Sequence, residues 1–275
     1  MRIVSVAVAA LAAAAMAAPA AAATGGDVAK PPVVLTARLP AGARLGAESP
    51  VRLGLRIDPR RLPVPVRELR LRFPASLGIA TSGLGAAACR RTDEEFAAVM
   101  IRGSGLAGCS PNAVMGRGTA RAEVRFGPSS TEGPITIPEL ARVSMLAAPF
   151  DDGQFGLLFL ANGIRPFGVT LAYNGRIEPA PAPWGGALTL LIAPVPNEFD
   201  AEIALIAIAF EIGAPEIRYR ERRGGRTTWY RPEGIVLPQR CPRGAFPFDA
   251  ELTFADGTRR SVATTMRCPK RAARR

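Results

Sequence analysis

The 275-residue sequence predicts an all-β protein, an antiparallel β-sandwich or jelly roll with one short helix and a C-terminal hairpin closed by a disulfide. Three observations carry that expectation. Apolar and polar residues alternate over many short segments. Gly, Pro, Asn and Asp separate those segments at spacings that leave no room for the crossover helices of βαβ units. The third is an apolar stretch at 186–214, in which two runs are joined by Pro196-Asn197-Glu198-Phe199-Asp200. In its second run Ile203, Leu205 and Ala207 are expected on one face and Ala204, Ile206, Ile208 and Phe210 on the other, a strand covered from both sides. Asp200 could instead cap a helix there, but consecutive β-branched and aromatic residues favour the strand.

Residues 1–23 read as a signal peptide. Arg2 supplies a positive start, 3–18 an apolar stretch, and Ala21-Ala22-Ala23 a small-residue cleavage site, which places the mature N-terminus near Thr24. A secreted or cell-envelope protein is expected. No transmembrane anchor is expected, because the apolar run beginning at Ala187 is broken by Pro194, Pro196, Glu198 and Asp200. The remainder divides into an N-terminal β-sandwich region at 24–180, a C-terminal β region at 184–269 packed against it, and a disordered basic tail at 270–275.

In chain order, 33–39 is the first expected strand. In 51–57, Val51, Leu53, Leu55 and Ile57 should face a core while Arg52 and Arg56 face water. Residues 62–66 carry Pro at alternate positions and suit an edge or connector. Leu69, Leu71 and Phe73 resume the period of two, with Arg70 and Arg72 outside. Thr92-Asp93-Glu94-Glu95 ahead of an apolar run to Met100 has the form of a capping box, and supplies the short helix. Short strands follow at 119–126, 135–137, 141–147, 154–160, 168–172 and 175–179. Beyond the central apolar pair come 217–221, 227–231 and 235–237. Residues 248–254 and 261–266 flank Asp256-Gly257, the strongest hairpin signal in the chain.

Cys89, Cys109, Cys241 and Cys268 permit three pairings, and an oxidising compartment favours two disulfides. Pairing between sequence neighbours, Cys89 with Cys109 and Cys241 with Cys268, is expected. The formal charge is +12, and only Lys30 and Lys270 among the 35 basic residues are lysine. Arginine is concentrated at 218–226, which has the form of a hairpin turning at Gly224-Gly225, and at 267–275.

Pro74-x-x-Leu77-Gly78 followed by Leu84 and Cys89, then Cys109-Ser110-Pro111 leading to Gly116-Arg117-Gly118-Thr119-Ala120, form one part of a wider pattern. Cys241-Pro242, Phe246-Pro247-Phe248, Phe254-Ala255-Asp256-Gly257 and Cys268-Pro269 complete it. The whole resembles uncharacterised exported, cysteine-paired β proteins of high-GC actinobacteria. That resemblance implies an extracytoplasmic location and the same local cysteine pairing, and implies no activity. Cys109-Ser110-Pro111 departs from the more usual Cys-Pro, which points to altered loop geometry at the first pair.

The chain has no histidine, which excludes Ser-His-Asp and Cys-His hydrolysis and histidine zinc sites. No Cys-x-x-Cys pair is present, Asp151-Asp152-Gly153 and Asp256-Gly257 read as turns before calcium loops, and no metal or cofactor is expected. Glu198, Asp200 and Glu202 would project from one face of a strand. The five residues from Glu198 to Glu202 resemble the motif of retaining jelly-roll β-glucanases, which implies Glu198 as nucleophile, Asp200 as orienting carboxylate and Glu202 as acid/base. A solvated acidic strand edge is the simpler reading. Arg222, Arg223, Arg226 and Trp229 form the best ligand-binding set, suited to an anionic cell-surface polymer or glycan, and export makes nucleic acid an unexpected partner. The sequence thus favours an exported, non-catalytic β-sandwich protein with a structural or surface role, with anionic-polymer binding and β-glucan hydrolysis as alternatives.

Overall fold

Why these residues form sheet is clearest at Val51–Ile57, where every second side chain is buried and Arg52 and Arg56 stand in solvent. The computed structural model describes residues 32–62, 64–79, 88–89, 100–101, 106, 108–126, 135–150, 153–192, 194, 202–231, 234–242 and 245–269. The proposed signal peptide, the basic tail and Glu198 and Asp200 lie outside these residues.

The major strands are β1 (Val33–Arg38), β3 (Val51–Ile57), β4 (Val66–Pro74), β7 (Val114–Arg125), β8 (Thr136–Ala147), β9 (Gly156–Arg165), β10 (Thr170–Glu178), β11 (Trp184–Leu191), β12 (Glu202–Ile212), β16 (Phe246–Phe254) and β17 (Arg259–Met266). They form one sheet in the order β1-β3-β12-β7-β8-β9-β10-β11-β4-β16-β17, and β6 (Met100–Ile101) pairs with β10 off that path. All pairings along the path are antiparallel. The sheet curls until its two end strands, β1 and β17, lie side by side, giving a sandwich-like barrel that is nearly closed. The all-β, antiparallel class read from the sequence is the observed one. Strands from both halves interleave, with β12 between β3 and β7 and β16 against β4.

Apolar side chains point inward and arginines outward, the reverse of a lipid-facing barrel. No described helix is long and apolar enough to cross a membrane. The interior is filled by Phe159, Phe246, Phe248 and Phe254 with the branched residues of β1, β3 and β8. A second cluster sits on the outer face of β8 and β9, where Leu146, Leu158 and Leu160 are fully buried under Cys89, Ile217 and Tyr219. Hence Leu157 and Phe159 face the barrel while their neighbours face this outer cover. It is β9, not β12, that is buried on both faces along its first half.

The structure corrects several sequence expectations. Leu205 and Ile208, expected on opposite faces, both pack on the inner core, because the register of β12 against β7 shifts between Leu205 and Ala207. Such a bulge inserts one residue and reverses the parity beyond it. Residues 135–147, expected as two strands, form one from Thr136, and 170–178 likewise forms one. The expected helix falls on residues outside the described ones except for Met100, which is in a strand with Ile101 against Thr170 and Leu171.

Both expected disulfides form, Cys89–Cys109 and Cys241–Cys268, with Cα atoms 5.1 and 6.1 Å apart. The second joins the open ends of β16 and β17, whose turn is set by Gly257 at φ +79° and by the Asp256 carboxylate accepting from the Thr258 amide at 2.9 Å. One barrel end is capped by a small sheet of β2 (Glu48–Ser49), β15 (Ile235–Val236) and β5 (Gly78–Ile79). Below this cap lies a cavity of about 70 Å³ with a wholly apolar lining.

Candidate functional site

The arginine-rich segment folds as a separate two-stranded sheet, β13 (Tyr219–Arg223) and β14 (Arg226–Tyr230). Gly224 and Gly225 connect it at φ +53° and +79°. Positive φ at both central residues gives the turn a twist that matches the strands, and only glycine adopts it freely.

The hairpin is fastened at its base. Tyr219 is fully buried in the outer cluster, and its hydroxyl donates to the Val114 carbonyl at 2.8 Å. Tyr230 meets the Tyr219 ring edge-on at 5.2 Å. The Asn112 side chain completes the attachment: its amide donates to the Arg220 carbonyl at 2.8 Å and its oxygen accepts from the Arg220 amide at 2.9 Å. Asn112 sits in the 3-10 turn Pro111–Ala113, which Ser110 caps through the Asn112 amide. In effect a side chain serves as one more ladder partner for β13. The hairpin is therefore held at its base while its outer face stays free.

Strand register sorts the predicted ligand residues. Tyr219 pairs with Tyr230, Arg220 with Trp229, Glu221 with Thr228, Arg222 with Thr227 and Arg223 with Arg226. Side chains alternate along each strand, so Arg220, Arg222, Thr227 and Trp229 share the face opposite the buried tyrosines. Trp229 is directly across from Arg220 and diagonal to Arg222, and diagonal neighbours lie within about 8 Å. Arg226 belongs to the tyrosine-side register and stands beside the turn. The four residues chosen from the sequence therefore do not form one patch. Arg222 and Trp229 come together, Arg226 is placed on the other face, and the side chain of Arg223 lies outside the described ones. Arg220, absent from that choice, takes their place, and counting back from the two-residue turn reveals it.

Trp229 is 59% exposed, a large apolar ring left in water. Arg220, Arg222 and Arg226 are exposed and make no ion pair among the described residues. Some arginines of the main sheet are paired: Arg52 with Glu211 at 2.8 Å, Arg72 with Asp249, and Arg125 with Glu123 at 2.6 Å. A flat ring flanked by unneutralised guanidinium groups can stack on a planar or sugar ring while the arginines take anionic oxygens in bidentate fashion.

The acidic motif has a different setting. Glu202 opens β12, is exposed, pairs in register with Arg125, and receives an ion pair from Arg67 at 3.4 Å. Trp184 begins β11 beside Pro74, where Arg72 lies 5.5 Å from its ring. Strand order and register put Trp184 and the Trp229 hairpin at the capped end of the barrel and Glu202 at the other. Neither tryptophan is a platform for Glu202. No cluster of three or more metal-ligating side chains occurs among the described residues.

Comparison of the chain with protein-family models, curated proteins and solved structures finds no match in any of the three.

Proposed function

We propose that the chain is an exported, extracytoplasmic β protein that binds an anionic polymer of the cell surface through the outer face of the β13–β14 hairpin. The observation that carries this reading is Trp229, exposed and flanked by Arg220 and Arg222 on a hairpin whose base is fastened to the outer core. A protein placing a ring and unpaired cations on a pre-ordered surface loses little conformational freedom on binding. The net charge of +12 adds long-range attraction for a polyanion. Two disulfides and the N-terminal pattern of Arg2, an apolar run and Ala21 to Ala23 support export. An acidic polysaccharide is favoured over nucleic acid because an exported protein meets the first.

Retention on an immobilised acidic polysaccharide tests the binding. The double variant Arg220→Ser, Arg222→Ser should elute at much lower salt, and Trp229→Ala should weaken retention with less change in salt dependence. Arg226→Ser, on the other face, should matter less. Equal retention by folded wild type and double variant would show the cluster to be ordinary solvated surface. Export is checked separately by N-terminal sequencing of protein collected outside the cytoplasm, which should begin near Thr24. Hydrolysis of β-glucan is the lesser reading, and release of reducing ends that is lost in Glu202→Gln would bring it forward.

A further inference from the structure

A sheet of many strands curled into a barrel encloses more width than its inward side chains readily fill. In this barrel the shortfall collects at the capped end, in the cavity of about 70 Å³. Its walls include Val51, Phe73, Leu157, Leu188 and Ile212 from five different barrel strands, with Ile235 of the cap overhead. No polar side chain lines it. Interiors are normally packed with few voids larger than a water molecule, and an apolar void of this kind stays dry and accepts apolar molecules.

The cap is held by few backbone pairings. It rests on the pairings Ile235↔Ser49, Val236↔Glu48, Ile235↔Ile79 and Val236↔Gly78, with two flanking backbone bonds, Leu237 to Ala47 and Gly46 to Pro238, each 3.0 Å. Sheets this short open locally at small free-energy cost. Beside the cap, the hydroxyl oxygen of Ser76 is buried with no hydrogen-bond partner, one residue before Leu77 of the lining. The cavity is smaller than an apolar void of about 150 Å³ that holds one aromatic ring, so its volume admits the end of a narrow chain in preference to a ring system.

We infer that the capped end of the barrel binds the terminal segment of an unbranched hydrocarbon chain, which enters beneath the β2-β15-β5 sheet and leaves its polar head outside. A free fatty acid and a membrane lipid both carry such a tail.

Photolabelling of the wild-type protein separates the outcomes. One arm uses dodecanoate with a terminal diazirine, free in solution. The other uses phosphatidylglycerol vesicles whose acyl chains end in the same group. Labels on peptides containing Leu157, Leu188 or Ile212 in the first arm identify a free amphiphile, and in the second a lipid tail; either result supports the site. Labels confined to other peptides, or no label in both arms, overturn it. Val51→Phe fills the space and should reduce labelling of those peptides at least ten-fold while leaving polysaccharide retention intact, and Leu77→Trp serves the same purpose from the rim. Undiminished labelling in a folded filled variant also overturns the proposal.

Discussion

At the scale of single residues, the tyrosines report how completely the chain excludes water. Tyr173 lies opposite Phe159 on β10, and burial pushes its phenol up to about 12. Tyr219 is raised as well, first by burial and then by the neighbouring Tyr230. A phenol whose folded pKa is raised stays neutral when folded and ionises earlier when unfolded. Its contribution is therefore intact below the unfolded value of about 10 and is lost as pH rises from there through the folded value. Tyr173 accounts for a loss of order 2 kcal/mol by pH 12. In an ultraviolet titration of the folded protein, Tyr173 and Tyr219 should ionise late, and urea stability should fall above pH 10. Tyr173→Phe should flatten part of that fall. If Tyr173 and Tyr219 ionised near pH 10, the burial described for β10 and β13 would be wrong. Asp256 works in the opposite sense: the Thr258 amide holds its carboxyl below the usual range, so the turn it stabilises weakens only in acid.

At the scale of elements, what could be read from the sequence depended on whether a segment carries its own period. β3 and β16 were legible because their alternation is uninterrupted and each buries one face. The side-chain parity of β12 was not, since its bulge is a property of the pairing with Arg121 and Ala122 of β7, not of its own residues. Two-residue strands such as β2, β5 and β15 are too short to show a period at all. The hairpin site was half legible. Its turn fixes which residues face each other, but Asn112, which positions it, is 108 residues away in sequence. The C-terminal hairpin gives the sharpest test at this scale. Cys241–Cys268 spans 27 residues, and closing a loop of that size stabilises by about 3 kcal/mol on the chain-entropy account. Cys241→Ser with Cys268→Ser should lower the urea midpoint accordingly and expose the open ends of β16 and β17 to proteolysis. An unchanged midpoint would mean that the packing of Phe246 and Met266, both fully buried, holds the ends without the cross-link.

At the scale of the whole molecule, the direction of the strands explains why the barrel stops short of closure. Every neighbour along the path from β1 to β17 is antiparallel, and the path has an odd number of strands, so its two ends run in the same direction. Closing the ring would require one parallel ladder among antiparallel ones, with slanted bonds and a different stagger. β17 is moreover mostly solvent-exposed, with Arg259, Arg260, Ser261, Ala263 and Thr265 all in water, so little apolar burial draws it toward β1. The two strands lie side by side, and no backbone ladder joins them. Antiparallel partners use alternate backbone groups, which leaves every second amide of β1 and of β17 facing the seam. Those amides should exchange with solvent deuterium without any unfolding, whereas the amides of β7 and β8, paired on both sides, should exchange only with global opening. Hydrogen exchange read residue by residue should therefore show alternating protection along Val33–Arg38 and Arg259–Met266. Uniform protection in both strands would mean that the seam is hydrogen-bonded and the barrel closed in solution. In that case the cap end alone would remain as a route from solvent to the interior.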